Sequence, residues 1–134
     1  MDTSPAPPLL NPFADLIGLR FSECVQGESV CHLALTPALL NPYGVAHGAV
    51  LYALADTGMG KALVSLLDAG QRCATIEIKI SYFRPMTAGE VRCEAKVVHK
   101  GGRVAFLEAT LYQGQEAAGQ ATGTFAIFAA RPGR

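Results

Sequence analysis

The sequence predicts an α+β domain in which an antiparallel β-sheet wraps around one long central α-helix. Three observations carry that prediction. From His47 to Asp68, Val50, Leu51, Leu54, Ala62, Leu63, Leu66 and Leu67 recur at three- and four-residue spacing, the mark of a helix. Two later runs alternate with period two. Ile76, Ile78, Ile80 and Tyr82 alternate with Glu77, Lys79 and Ser81, and Val91, Cys93, Ala95 and Val97 with Arg92, Glu94 and Lys96. Finally, Gly101-Gly102 and Gly114 fall where turns would fold the chain into two more strands, Arg103 to Tyr112 and Glu116 to Phe128. These four strand-like runs are expected to form a meander.

The remaining elements follow in order. Residues 1–10 read as a disordered lead-in and 11–130 as a single domain. Asn11 can cap a short helix, Pro12 to Ile17, which Gly18 ends. Strands at Leu19 to Gln26 and Glu28 to Leu35 are joined at Gly27-Glu28. That turn would set Cys24 opposite Cys31, within reach of a cross-link under oxidising conditions. Thr36 to Ala46 is a loop with two prolines and Gly44. Apolar residues cover most of the long helix's circumference, which predicts a helix enclosed on nearly all sides. Gly58 and Gly60 inside it should each cost about 1 kcal/mol relative to Ala, so another backbone is expected close by. Gly70 stops the helix, and Arg131 to Arg134 reads as a frayed tail.

Composition narrows the function classes. A chain of 134 residues makes one domain. Half of it is hydrophobic and only 16% is charged, a sparse supply for so small a domain, which implies a surface buried against another subunit. Eleven basic and eleven acidic side chains cancel, leaving no overall field for a nucleic acid or an anionic membrane. Met1 to Pro8 has no basic residue and does not read as a signal peptide. The apolar stretch Val45 to Leu67 is interrupted by His47, Asp56 and Lys61, so it reads as a buried helix rather than a membrane span. The four cysteines show neither a C-x-x-C pair nor metal-ligand spacing, which predicts a reduced, cytoplasmic protein without a metal site.

The chemistry concentrates between Asn41 and Asp56. Gly48 opens the helix, so its N–H is an unpaired donor at the positive end of the helix dipole, suited to an oxygen gaining negative charge. Glycine there also lets a substrate approach the backbone. Asp56 is the sole residue charged at neutral pH from Gly48 to Gly60, and a carboxylate on an apolar helix is costly unless paired or employed. Singly, each residue has a plainer meaning. His47-Gly48 can be a helix cap, Asp56 a structural acceptor, Asn41-Pro42 a turn and Thr75 a sheet-surface threonine. The sequence has no G-x-S-x-G elbow, phosphate loop or dinucleotide fingerprint.

Taken together, Asn41-Pro-x-Gly44-x-x-His47-Gly48, Leu54-Ala-Asp56, Ala74-Thr75-Ile76-Glu77, Ser81-Tyr-Phe-Arg84-Pro85, Gly101-Gly102-Arg103 and Ala121-Thr-Gly-Thr124-Phe125 form one ordered set. The set resembles the hotdog thioesterases, and within them the phenylacetate-degradation (PaaI-like) subfamily, over roughly residues 13 to 128. Ala49 departs from the pattern, where the family usually has a second glycine. The resemblance implies an acyl-CoA thioesterase acting on aryl or short- to medium-chain acyl groups. Asp56 would be the general base or nucleophile, and Gly48 N–H would polarise the thioester carbonyl. His47 and Asn41 would shape the loop and orient water or substrate, and Thr75 would support Asp56. A thiolate whose pKa is near that of cysteine, about 8.5, leaves without a proton donor, so one base and one set of donors suffice. Coenzyme A would enter as part of the substrate, with no separate cofactor.

For the nucleotide end of coenzyme A, Arg84, Lys100 and Arg103 are candidates, with the N–H groups of Gly101 and Gly102 beside them. An ordinary hairpin flanked by surface charge is the competing reading. His47 and Asp56 stand roughly 13.5 Å apart along a helix at 1.5 Å per residue, so Gly48 and Asp56 of one chain cannot grip the same carbonyl. A site shared across a twofold axis is expected, with Asn41, His47 and Gly48 from one subunit and Asp56 and Thr75 from its partner. The resemblance implies that homodimer, and commonly a dimer of dimers. A hotdog dehydratase on acyl thioesters and a non-catalytic binder of acyl-CoA or another small ligand remain alternatives.

Overall fold

The computed structural model describes residues 11–131. The expected lead-in over residues 1–10, and residues 132–134 of the expected tail, lie outside them. The chain runs α1 (Pro12–Ile17), β1 (Arg20–Val25), β2 (Glu28–Ala34), a 3-10 turn (Pro37–Leu39), α2 (Gly48–Val64), β3 (Gln71–Tyr82), β4 (Glu90–Lys100), β5 (Val104–Gln113) and β6 (Glu116–Ala129). The strands form one antiparallel sheet in the order β1-β2-β4-β5-β6-β3. The sheet packs one face against α2, the arrangement the patterning predicts.

Local chemistry explains most of the boundaries. The Asn11 side chain accepts from Ala14 N–H, and Gly18 closes α1 in the left-handed conformation at φ 81°. Leu54, Met59 and Leu63 on α2 are fully buried, as are Leu33, Val91, Leu107 and Leu111 on the sheet. At Gly58 a Cβ would stand 3.3 Å from Cys93 Sγ and 3.6 Å from Cys31 Sγ. The glycine therefore lets the helix settle onto sheet side chains, not onto another backbone. Gly60 is looser, with Phe125 Cε2 at 3.8 Å as its nearest neighbour. The expected close backbone is absent at both positions among the described residues.

Four further expectations change. The β1–β2 turn is Gln26-Gly27, not Gly27-Glu28. Both residues have positive φ, 31° and 88°, and the two-residue hairpin turn that matches strand twist needs that at both central positions. The one-residue slip pairs Cys24 with Ser29, while Cys31 faces Cys93 across β2–β4. The proposed Cys24–Cys31 juxtaposition is therefore wrong. Cys31 and Cys93 are fully buried and hydrogen-bonded to each other; that bond first, then burial, pushes the Cys93 thiol well above its ordinary pKa.

Helix α2 stops at Val64, four residues before the expected Asp68, because Leu66 and Leu67 N–H tighten onto Leu63 and Val64 carbonyls. Nor do the last four strands form a sequential meander. Strand β3 pairs with β6 at the sheet edge, and the connection from β3 to β4 crosses the end of the sheet, anchored by buried Met86. The fourth change concerns enclosure. The sheet covers one side of α2 alone, leaving Ala49, Tyr52, Lys61 and Val64 exposed and Ala53, Asp56 and Gly60 half-covered.

Candidate active site

The loop before α2 is built around Asn41. Its side-chain oxygen accepts from Tyr43 N–H at 2.9 Å and Val45 N–H at 3.3 Å. Its backbone N–H donates to the Val45 carbonyl at 2.7 Å, and Gly44, at φ 79°, lets the chain reverse there. Asn41 thus shapes the loop. His47 follows as the helix N-cap, its Nδ1 accepting from Ala49 N–H at 3.0 Å. Gly48 N–H has no hydrogen-bond partner among the described residues and sits at the positive end of a 17-residue helix. It borders a depression of about 350 Å³ lined by Val45, Leu51, Tyr82, Arg84 and Met86, among others.

Glycine at 48 has a use the sequence did not reveal. A Cβ there would meet Tyr82 Oη at 3.1 Å, and that hydroxyl donates to the Gly48 carbonyl at 2.8 Å. The missing side chain makes room for a tyrosine. Tyr82 reads in the sequence as one more apolar position of an alternating strand, so its hydroxyl gave no separate signal.

Two turns further along α2, Asp56 lies half-buried on the side the sheet leaves open. Thr75 Oγ1 donates to its Oδ1 at 2.7 Å. By simple alternation Thr75 would share the outer face with Glu77, Lys79 and Ser81. A β-bulge at Ile76 prevents that: Thr75 pairs with Phe125 and Glu77 with Thr124, so one extra residue turns Thr75 inward. Cys73, two residues before it, is another neighbour that sequence reasoning did not single out. Burial, and then the nearby Asp56 carboxylate, push its thiol pKa upward.

The chain holds these groups as two separate sets. Tyr82 pairs with Gly119 and Thr75 with Phe125, six steps apart on β6, or about 20 Å. Asn41, His47, Gly48 and Tyr82 stand at one end, Asp56, Thr75 and Cys73 at the other. The coenzyme A candidates divide the same way. Arg84 N–H reaches the Ala118 carbonyl, whereas the Arg103 carbonyl accepts from Ile127 N–H, about 30 Å along β6. Arg84 therefore does not join Lys100, Gly101, Gly102 and Arg103 within one chain. It forms an ion pair with Glu116. The Lys100–Arg103 segment is a tight hairpin, with Gly101 N–H donating to the Val104 carbonyl at 2.9 Å. Among the described residues no three His, Cys, Asp or Glu side chains gather in a way that could hold a metal ion. No described helix is long and apolar enough to cross a membrane.

Residues 43–119 match the thioesterase superfamily. The chain is similar to a conserved protein of known structure from Pseudomonas aeruginosa, with 35% identity and a TM-score of 0.86 over 89% of this chain and 95% of that one. It is also similar to a variant of the phenylacetic acid degradation protein PaaI from Thermus thermophilus, at 28% identity and a TM-score of 0.81, covering 87% of this chain and 98% of that one. By sequence it is 25% identical to the proofreading thioesterase EntH of Klebsiella pneumoniae, over 72% of this chain and 70% of that protein.

Proposed function

Because this chain belongs to the thioesterase superfamily, with the hotdog fold and a PaaI-like structure, and is a thioester hydrolase, we propose that it cleaves acyl-CoA esters at a site shared by two subunits. The acyl group is aryl or short to medium aliphatic. One observation carries the reading: Asp56, held by Thr75 at 2.7 Å, lies on the open side of the same helix whose first N–H is unpartnered.

The chemistry follows from the two sets. The thioester carbonyl oxygen lies against Gly48 N–H, which stabilises the negative charge developing there. His47 and Asn41 keep that donor exposed. Asp56, ionised and aimed by Thr75, takes a proton from water as the water oxygen bonds to the carbonyl carbon, or attacks that carbon itself. In the water route the carbon–sulfur bond then breaks, thiolate leaves, and the proton passes from Asp56 to sulfur. In the direct route the bond from Asp56 to the carbonyl carbon forms as the carbon–sulfur bond breaks and thiolate leaves; water then hydrolyses the mixed anhydride, releasing the acid and restoring the Asp56 carboxylate. No group of higher acidity is required, since a thiolate is a good leaving group.

Sharing across a twofold axis is supported by three features. Along α2, Gly48 and Asp56 are about 12 Å apart, too far to serve one carbonyl. Strand β3, twelve residues long, leaves an edge unpaired among the described residues, and a second copy would cover it. Ile76 and Val64 are each about half exposed near that edge and the open helix side. An antiparallel partner would also bring Arg84 of one end toward Lys100–Arg103 of the other, beside one nucleotide. A cytoplasmic protein acting as a homodimer or dimer of dimers, with no metal or separate cofactor, completes the proposal.

The experiment is a free-thiol assay over aryl- and alkyl-CoA esters with wild-type protein and Asp56→Ala. Thiol release by the wild type, lost in the variant, supports the reading. Binding of acyl-CoA without turnover by the wild type would instead make the protein a ligand binder.

A further inference from the structure

Two hydrogen bonds converge on the single peptide unit between Gly48 and Ala49. Tyr82 Oη donates to its carbonyl at 2.8 Å, and its N–H donates to His47 Nδ1 at 3.0 Å. A donor at a peptide oxygen draws electron density from the peptide nitrogen, so its N–H becomes a stronger donor in turn. The bond received at Nδ1 fixes the ring as well: a neutral imidazole that accepts at Nδ1 carries its proton on Nε2. Nε2 has no protein partner among the described residues, and His47 is exposed.

We propose that Tyr82 is a positioning residue that acts through the Gly48–Ala49 peptide to hold His47 in its Nε2–H form, so that the histidine offers the thioester oxygen a second donor beside Gly48 N–H. This rests on the shared-site reading given above. The close fit supports it. A Cβ at position 48 would stand 3.1 Å from Tyr82 Oη and 3.2 Å from its Cζ, so the tyrosine can reach the carbonyl because residue 48 is glycine. Strand register supports it too, since the bulge at Ile76 leaves Ile78, Ile80 and Tyr82 on the inward face, with Tyr82 at the strand's end. Burial, then the proximity of Tyr52, raises the pKa of the Tyr82 hydroxyl, so it remains a donor at neutral pH.

Tyr82→Phe keeps the ring and deletes the hydroxyl. The expected result is a drop in kcat of about fivefold, the worth of one ordinary hydrogen bond, with KM and Tm little changed. In a His47→Gln background the same substitution should cost nothing further. Imidazole ¹⁵N spectra of the variant should show both His47 tautomers where the wild type shows one. Full kcat in Tyr82→Phe, an equal loss in both backgrounds, or an unchanged tautomer would overturn the proposal. Wild-type protein that turns over no acyl-CoA would defeat the activity reading alone, and the tautomer measurement would then decide the role of Tyr82 by itself.

Discussion

Replacing Thr75 with valine tests how Asp56 is held. The change keeps the β-branched shape suited to a strand and removes the hydroxyl that donates to Asp56 Oδ1 at 2.7 Å. A hydrogen bond to a charged acceptor contributes about 1.5–3 kcal/mol. Asp56 is half-covered and Thr75 exposed in the chain, so solvent competes and the lower end applies. At about 1.4 kcal/mol per factor of ten, kcat should fall about tenfold. KM should hardly move, because Thr75 steers the carboxylate and does not bind substrate. Steady-state kinetics on the best ester found in the thiol assay would measure this, with Thr75→Ser as control. Serine retains the donor and should keep most of the activity. Full kcat in Thr75→Val, or a Thr75→Ser variant as damaged as Thr75→Val, would refute the reasoning.

Two predictions concern the scaffold. Gly58→Ala should lower stability to urea by about 1–3 kcal/mol through overpacking against Cys93 Sγ, 3.3 Å from the new methyl; with Cys93→Ala already in place it should be neutral or stabilising, since helix propensity then favours alanine. The Arg20 guanidinium at 2.6 Å, and then His32 at 2.8 Å, hold the Glu90 carboxyl below the usual carboxylate range. Its stabilising contribution is therefore present above the unfolded value, about 4.3, and lost as pH falls through the folded one. Glu90→Gln should lower Tm slightly at pH 7, since the pair is exposed, and the difference should vanish in acid when Tm is followed against pH.

Much of this protein is legible in its sequence because periodicity reports local geometry. The α2 stripe and the alternating runs set element type, and Asn11, Gly18 and Gly114 mark ends that the structure keeps. What sequence could not supply were features fixed by pairing between distant segments. The bulge at Ile76 breaks an alternation that otherwise reads cleanly, and it alone turns Thr75 toward Asp56. The slip of one residue in the β1–β2 turn decides that Cys24 meets Ser29, and Gln26 at positive φ carries no strong signal for it; the β2–β4 register, equally silent in the sequence, sets Cys31 against Cys93. Strand order is likewise invisible locally, since nothing in β3 says that its neighbour is β6. The candidate residues themselves were visible. Their division into two ends of the chain followed from helix rise, and the sheet register repeats it for Arg84 and Lys100–Arg103.

The most direct test mixes two inactive proteins. If the acid of one subunit serves the helix tip of another, Asp56→Ala and Gly48→Pro proteins, allowed to exchange subunits, should regain about a quarter of wild-type activity. Half the dimers would be hybrids, each with one of two sites intact. With exchange verified by mass, a mixture as inert as its two parents would contradict the account.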